Sequence, residues 1–161
     1  MRNFFRKVAF GLKPEEKAPS DPLTWAQKQI ETVPELNWKG KYILSEKEMR
    51  KYWITQRVEE NTTLRKKFKN DPQGLKKAEK LLEYETGRQF WKSNEICMRH
   101  AEGIRSNTPV LAKLWYFWTN HFTISDTQSL ASFSTGAYQR EFIRANMDKK
   151  FETMAIEATI A

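Results

Sequence analysis

The sequence predicts an all-α protein, because it contains several marked helix starts, and apolar residues at helical spacing follow the three that come after residue 44. Ser45 stands three residues before Glu48, which is the spacing of a capping box, where each side chain bonds the other residue's backbone amide. Asp71-Pro72 and Thr108-Pro109 each place a capping residue directly before proline, which is favoured at the first helical position. The expected fold is therefore an irregular assembly of α-helices.

Residues 1–44 are predicted to form a lead segment that prolines divide into short pieces. Four of the six prolines lie before Gly40. Pro22 at a first helical position, with Asp21 as its N-cap, predicts a short helix that runs to about Thr32. The rest of this segment is expected to be irregular.

Residues 45–105 are predicted to form charged, basic helices. Behind Asp71-Pro72, apolar residues recur at helical spacing, at Leu75, Ala78, Leu81 and Leu82. A long helix is expected to run from Pro72 to about Glu102, although Gly87 weakens it by about 1 kcal/mol relative to alanine. Because these helices are highly polar, they are expected to need packing against another part of the protein or to remain loosely packed.

Residues 106–161 are predicted to hold an aromatic-rich helix, a Ser/Thr loop and a last helix. The helix after Pro109 is apolar almost all round, and such helices are buried on most sides. The stretch TISDTQSLASFSTG (123–136) is interpreted as a loop, because it is rich in serine and threonine. The last helix is marked by Ile143, Met147, Phe151, Met154 and Ala158. The expected core residues are Trp115, Trp118, Phe122 and Phe151.

The last predicted helix lacks the signals that usually end a helix. Its sequence, ETMAIEATIA (152–161), has no capping glycine and no basic last turn. An apolar helix without a partner leaves carbonyl groups unpaired and apolar surface exposed. We therefore expect this chain to be the N-terminal helical portion of a larger α-helical domain, incomplete on its own.

The net charge of +8 is concentrated in the first two thirds of the chain. Residues 106–161 hold five basic and five acidic residues, so residues 1–105 hold 23 basic and 15 acidic ones. An excess of this kind is compatible with a nucleic-acid or anionic-membrane partner. Because glutamates are interleaved with the lysines, the pattern favours a solvated helical surface, and nucleic acid is disfavoured.

Neither the cysteine content nor the apolar runs of the sequence indicate an exported or membrane-spanning protein. Cys97 is the single cysteine, which excludes an intrachain disulfide and a cysteine-based zinc cluster. No apolar run is long enough for a secretion signal or a membrane span, so the chain is expected to be cytoplasmic by default.

Two stretches resemble the bacterial domain of unknown function 1800 family (DUF1800). The segment KVAFGLKPEE (7–16) is similar to the opening of that family, and FWTNHFTIS (117–125), with the segment after Gly136, is similar to its aromatic motif. The matching positions in the second region are Phe117, Trp118, Asn120, His121, Phe122, Gly136, Ala137, Tyr138, Ile143, Arg144, Phe151 and Met154.

The resemblance implies a longer protein. Members look several hundred residues long, often look exported, and continue after the last matching run into segments that this chain lacks. The family has no settled activity. The resemblance therefore implies an N-terminal portion that is inactive alone, whose partner is its own missing C-terminal part or another helical protein.

His121 is the candidate catalytic residue, and the sequence allows two interpretations of its role. In one, it lies at the C-terminus of the aromatic helix and its imidazolium bonds the last carbonyls. In the other, it is a general base or metal ligand at the mouth of a pocket, beside a hydroxyl-rich loop with Ser125, Thr127 and Ser129. Because no second ligand has metal spacing, no metal site and no cofactor are expected.

Asn120, Arg140 and Arg144 are the candidate binding residues. The two arginines lie four residues apart, on one helix face, where two guanidinium groups can hold a carboxylate or phosphate. The alternative is that they pair with Glu141, Asp148 or another acid. Arg144 also occupies a position that matches the family.

Three functions remain open at this point. The chain is a fragment of an enzyme or ligand-binding protein, a non-catalytic helical interaction or structural protein, or a basic nucleic-acid-binding module. For this chain alone, the sequence favours the absence of enzymatic activity.

Overall fold

The computed structural model describes residues 2–38, 43–86, 88–125 and 129–160. Every regular element in these ranges is helical, which confirms the predicted all-α fold. The α-helices are α1 (Arg2–Val8), α2 (Pro22–Lys28), α3 (Glu46–Lys51), α4 (Val58–Lys67), α5 (Pro72–Thr86), α6 (Arg88–Arg105), α7 (Pro109–His121), α8 (Ser129–Tyr138) and α9 (Phe151–Ile160). A π-helical segment (Tyr52–Arg57) joins α3 to α4, and a second one (Gln139–Ile143) follows α8 and leads into a 3-10 turn (Arg144–Asn146).

The capping signals correctly predicted where helices begin. The Ser45 hydroxyl accepts from the Glu48 amide at 3.2 Å, and the Glu48 carboxylate accepts from the Ser45 amide at 2.8 Å, which completes the capping box of α3. Helices α5 and α7 begin at Pro72 and Pro109, as expected. These starts could be predicted because a cap depends on residues three or four positions apart.

Helix α2 begins as predicted but is shorter than predicted. The Asp21 carboxylate accepts from the amides of Leu23 and Thr24, and the Thr24 hydroxyl, which also donates to it, lowers its pKa. The helix ends at Lys28, before the expected Thr32, because the next two amides turn back to carbonyls only three residues earlier.

The long helix expected from Pro72 to about Glu102 corresponds to two described helices. Helix α5 ends at Thr86 and α6 begins at Arg88 and continues to Arg105. Gly87, which the sequence marked as a weak point, lies outside the described residues.

The chain forms two compact units, each built from separate stretches of sequence. Unit 1 consists of Met1–Trp38, Cys97–Thr123 and Tyr138–Ala161, and unit 2 consists of Lys39–Ile96 and Ile124–Ala137. The aromatic helix α7 belongs to unit 1, and the charged hairpin of α4 and α5 belongs to unit 2.

The core of unit 1 is built around α7. Its largest fully buried side chains include Trp115, Leu111, Phe5 and Ile143. The Trp115 ring lies 5.7 Å from that of Trp38, and its indole N–H donates to the Gln139 carbonyl at 2.9 Å. This bond satisfies the indole nitrogen of a side chain that is almost fully buried.

Distant side chains in unit 1 also cap two helices. The Gln29 side chain accepts from the Val110 amide in the first turn of α7, whereas the Thr108 side chain makes no cap bond. The Lys113 ammonium donates to the carbonyls of Arg6 and Ala9 at the end of α1. A cation is favourable at a helix C-terminus, so α7 stabilises α1 electrostatically as well as by packing.

Unit 2 has its own aromatic core. Met49, Trp91 and Phe133 are buried together, and Leu44, Tyr52 and Trp53 pack against them. The buried Arg57 guanidinium donates to the Glu83 carboxylate at 2.7 Å, which ties the segment before α4 to α5.

The predicted Ser/Thr loop was wrong over residues 129–136, which belong to α8. The hydroxyl of Thr135 donates to the Ala131 carbonyl four residues earlier, so this polar side chain bonds within the helix rather than competing with it. Phe133 is buried, which gives α8 a core-facing side chain. Gly136 lies within α8 and not at the end of a loop. A Cβ at this position would lie 2.2 Å from the Glu95 side chain, so glycine allows α8 to approach α6 closely. Residues 126–128 lie outside the described residues.

The last predicted helix is interrupted before Phe151. Amides of Met147 and Lys149 bond carbonyls three residues earlier, and the buried Asn146 side chain donates to the Phe142 carbonyl at 2.8 Å. These contacts turn the chain, and a new helix, α9, begins at Phe151. The Tyr138 hydroxyl donates to the Ala158 carbonyl at 2.9 Å and fixes α9 to unit 1; burial raises the pKa of this tyrosine.

Candidate functional site

The C-terminal half of α7 and the start of α9 form a cluster of five rings, which we call the aromatic cluster. It contains Phe117, Trp118, His121, Phe122 and Phe151. The Trp118 ring lies 4.9 Å from Phe117, 5.8 Å from Phe122 and 5.5 Å from Phe151. The motif that resembles the family therefore folds into one contiguous surface feature.

This cluster is only half covered by the rest of unit 1. Phe117 and Phe151 are each 56% exposed, while Trp118 and Phe122 are half-buried. Of the four expected core residues, Trp115 is 1% exposed and lies in the interior, whereas Phe151 presents most of its ring to solvent. The buried and the exposed aromatic residues of α7 thus lie on different faces of the helix.

His121 is an exposed member of the aromatic cluster. Its ring is nearly parallel to that of Phe117, with an interplanar angle of 13°, and meets Trp118 and Phe122 edge-on. The last carbonyls of α7 accept bonds from the Thr123 hydroxyl, at Thr119 and Asn120. Within the described residues the His121 imidazole makes no hydrogen bond, so its visible contacts are with aromatic rings.

The structure describes two of the three hydroxyl residues that were expected beside His121. Ser125 is exposed, Ser129 begins α8, and Thr127 lies outside the described residues. The described part of the chain holds no group of three or more His, Cys, Asp and Glu side chains that is suited to a metal ion. It also holds no helix that is both long and apolar enough to cross a membrane.

Arg144, a candidate binding residue, is buried in unit 1 at 5% exposure. Its guanidinium donates to the Pro34 carbonyl at 2.7 Å and lies 5.6 Å from the centre of the Trp115 ring. Burial lowers the pKa of this arginine, and the Glu102 carboxylate acts in the opposite direction. In this arrangement Arg144 holds the segment after α2 against α7.

The other two candidate binding residues have different surroundings. The Arg140 side chain is largely covered and its guanidinium lies 3.9 Å from the Glu141 carboxylate, one of the acids expected to pair with it. Asn120 is exposed at the end of α7, and its carbonyl accepts from Thr123.

Sequence reasoning missed a polar network around Arg99. The Arg99 guanidinium donates to the Gln139 side-chain oxygen, lies 3.4 Å from the Thr119 hydroxyl, and packs over the Tyr116 ring at 5.0 Å. Burial raises the pKa of Tyr116, whose hydroxyl lies 2.8 Å from the His100 ring. No local signal points to Arg99, since it is one of many charged residues on α6 and its partners are at least 17 residues away.

An apolar groove of about 440 Å³ runs between α1, α2 and α7, and we call it the α7 groove. Its apolar walls include Phe4, Val8, Leu23, Ile30, Leu114 and Phe117. Phe117 also belongs to the aromatic cluster, so the groove and the cluster form one continuous apolar surface along α7. We call this combined feature the α7 surface.

We expect His121→Ala to change the free energy of unfolding by less than about 1 kcal/mol, because the ring is exposed and makes no described hydrogen bond. Urea denaturation followed by circular dichroism measures this. Trp118→Ala is the matched control, which we expect to cost about 3 kcal/mol because that ring contacts four others. A loss at His121 as large as that at Trp118 would assign the histidine a structural role.

Comparisons with known proteins bear on the family. A family model described as a protein of unknown function (DUF1800) matches residues 3–160. No curated protein and no solved structure matches the chain. Because the match covers both the opening segment and the aromatic motif, the resemblance of these stretches is confirmed, and the chain belongs to the DUF1800 family.

Proposed function

We propose that this chain is the N-terminal helical portion of a larger α-helical domain, without activity on its own, and that a further helical segment of the same protein covers the α7 surface. The observation that carries the proposal is the exposed apolar surface along α7 and α9. Single exposed apolar residues are common on soluble proteins, but contiguous apolar patches mark interaction sites.

The extent of this surface supports a helical occupant. The α7 groove has an apolar lining suited to a helix that presents residues at positions i, i+3, i+4 and i+7. Beyond the groove, Phe117 leads to Phe151 through the aromatic cluster, so one segment can cover both parts.

Helix α9 supports the same proposal. Its residues are apolar on most sides, and Ile156 and Ile160 are 51% and 72% exposed, although Met154 and Ala158 face the core. A helix that is apolar all round is normally buried on all sides. We therefore propose that α9 lies between the rest of unit 1 and the additional segment.

Charge further defines the segment. The charged residues that line the α7 groove are Lys7 and Lys113, and no acidic residue lines it in the described part of the chain. Lys113 is engaged with carbonyls of α1, so Lys7 is the lysine more available to a partner. An amphipathic helix with an acidic residue beside its apolar face fits this groove best.

A basic nucleic-acid-binding role has weaker support. In the basic part of the chain, Arg50, Arg57 and Arg65 are paired with glutamates at 2.6, 2.7 and 3.8 Å. Pairs of this kind neutralise the charge that phosphate binding needs.

The test begins with the gene. DNA sequencing past codon 161, translated in all three frames, is expected to reveal an apolar helical segment. That segment, produced separately, is expected to co-purify with this chain and to raise its melting temperature. Phe117→Ser is expected to weaken the complex at least tenfold, because the ring is shared by both parts of the α7 surface.

Ile104→Ser is the matched control, because Ile104 is 76% exposed in unit 1 and lines neither the α7 groove nor the aromatic cluster. Binding that is unchanged in Ile104→Ser and lost in Phe117→Ser supports the proposal. Absence of a downstream segment, or a segment that binds Phe117→Ser as well as the wild type, contradicts it and favours an independent interaction protein with a different partner.

A further inference from the structure

A second apolar groove lies in unit 2, on the hairpin formed by α4 and α5. It has a volume of about 600 Å³, and its apolar walls include Leu64 from α4 and Ala78, Leu81 and Leu82 from α5. Leu81 is 58% exposed. We call this feature the hairpin groove; it shares no residue with the α7 groove.

The hairpin groove differs from the α7 groove in the sign of its charge. Its charged lining residues are Glu59 and Glu60, and no basic residue lines it in the described part of the chain. Both glutamates project from α4, along the same wall as Leu64. A groove with this lining offers an apolar floor and a negatively charged edge.

Glu60 is a half-buried member of this negatively charged edge. Its Oε2 atom is buried, and no described group donates a hydrogen bond to it. Neither Glu59 nor Glu60 belongs to an ion pair among the described residues. Glu59 is exposed and Glu60 is half-buried, so both side chains retain accessible surface at the rim of the groove. A lysine or arginine of a partner is electrostatically complementary to these two carboxylates.

We propose that the hairpin groove binds a basic amphipathic helix. Leucine-like side chains of that helix lie on Leu64, Ala78, Leu81 and Leu82, and a lysine or arginine on its flank donates to Glu60 and pairs with Glu59. Helix-in-groove recognition has these requirements: an apolar face in the groove and charged residues at its rim.

Unit 2 exposes further apolar side chains on the π-helical segment, α4 and α5. Ile54, Val58 and Tyr84 are 60%, 52% and 80% exposed. The proposal does not depend on the α7 surface, which lies in unit 1.

Because of the net charge of the chain, a preference for a basic helix over an acidic one would indicate specific local contacts. At +8, the whole protein attracts acidic peptides and repels basic ones at long range. Preference for a basic helix must therefore come from local contacts, and Glu59 and Glu60 are the groups that provide them.

The experiment uses two labelled synthetic peptides of about four helical turns each. One is an amphipathic helix of leucine and lysine, and the other has glutamate in place of every lysine. Fluorescence anisotropy, measured at physiological ionic strength with the full chain carrying Phe117→Ser so that the α7 groove does not bind the acidic peptide, is expected to show at least tenfold tighter binding of the leucine–lysine peptide. Circular dichroism of each variant checks that its helix content is unchanged.

Glu60→Gln is expected to weaken binding of the leucine–lysine peptide about tenfold, because a charge-assisted bond is lost while the side chain keeps its size. Glu31→Gln, which makes the same charge change at an exposed site in unit 1, is the matched control and is expected to have no effect. Leu81→Ser is expected to weaken binding to a similar extent, and Ile104→Ser is its control.

Three results overturn the proposal. The first is equal affinity for the two peptides. The second is binding of the leucine–lysine peptide that Glu60→Gln leaves unchanged; because this variant removes no packing, the result decides even if Leu81→Ser perturbs the fold. The third is concentration-dependent self-association of the chain, measured by analytical ultracentrifugation, that Leu81→Ser abolishes, since this would assign the groove to a second copy.

Discussion

Alanine in place of Trp115 is expected to lower the free energy of unfolding of unit 1 by about 3–5 kcal/mol, the range found when a large aromatic residue is removed from a core. Domains of this size are stable by about 5–15 kcal/mol, so the loss is a large share of the total. We expect the variant to be partly unfolded at physiological temperature.

The size of this effect follows from what Trp115 holds together. Its indole lies against Trp38 and under the Arg144 guanidinium, and its N–H bonds the Gln139 carbonyl. It therefore connects α7 to the segment after α2 and to the segment after α8. Removal of the ring leaves a cavity and an unpaired carbonyl group.

Thermal and urea denaturation of Trp115→Ala and Trp115→Phe measure this. The phenylalanine variant keeps most of the packing, so we expect it to lose less than half as much stability as Trp115→Ala. A loss below about 1 kcal/mol in Trp115→Ala contradicts the role assigned to this residue.

Arg144→Ala is expected to lower the free energy of unfolding by about 2–4 kcal/mol. The substitution removes the bond to the Pro34 carbonyl, the contact with the Trp115 ring, and the volume of a nearly fully buried side chain. Because burial of the charge is itself unfavourable, the loss reflects packing and hydrogen bonding more than the charge.

Arg144→Met separates these contributions. Methionine keeps most of the volume but cannot donate to Pro34, so this variant is expected to lose less stability than Arg144→Ala. Urea denaturation measures both variants. If both variants are as stable as the wild type and one of them loses affinity for a ligand, Arg144 is a binding residue, as the spacing from Arg140 first indicated.

Helix starts were the part of the fold that the sequence made most predictable. The capping box of Ser45 and Glu48, the Asp21 cap, and the prolines at the first positions of α5 and α7 are all local signals. Each depends on residues within three or four positions, so no knowledge of tertiary structure is needed to recognise it.

The errors lie where distant contacts decide the structure. Ser/Thr-rich composition predicted a loop that included residues 129–136, but burial of Phe133 in unit 2 and hydroxyl bonds to the helix backbone favour α8. Likewise, the turn at 147–150 depends on the buried Asn146, whose importance could not be recognised from its residue type.

The candidate site was predictable in composition but not in exposure. The aromatic motif identified the residues that form the cluster, including His121 and Phe151. Which of them face solvent depends on packing with α1, α2 and α9. The same holds for Arg144, which bonds a carbonyl 110 positions away in the sequence.

Hydrogen–deuterium exchange of this chain, with and without the proposed further helical segment, tests the central claim most directly. If that segment covers the α7 surface, the amides of α9 and of the second half of α7 are expected to become strongly protected when it is added, while those of α4 and α5 stay unchanged. Unchanged exchange in α7 and α9, or protection confined to α4 and α5, would contradict the claim that a further helix of the same protein completes unit 1.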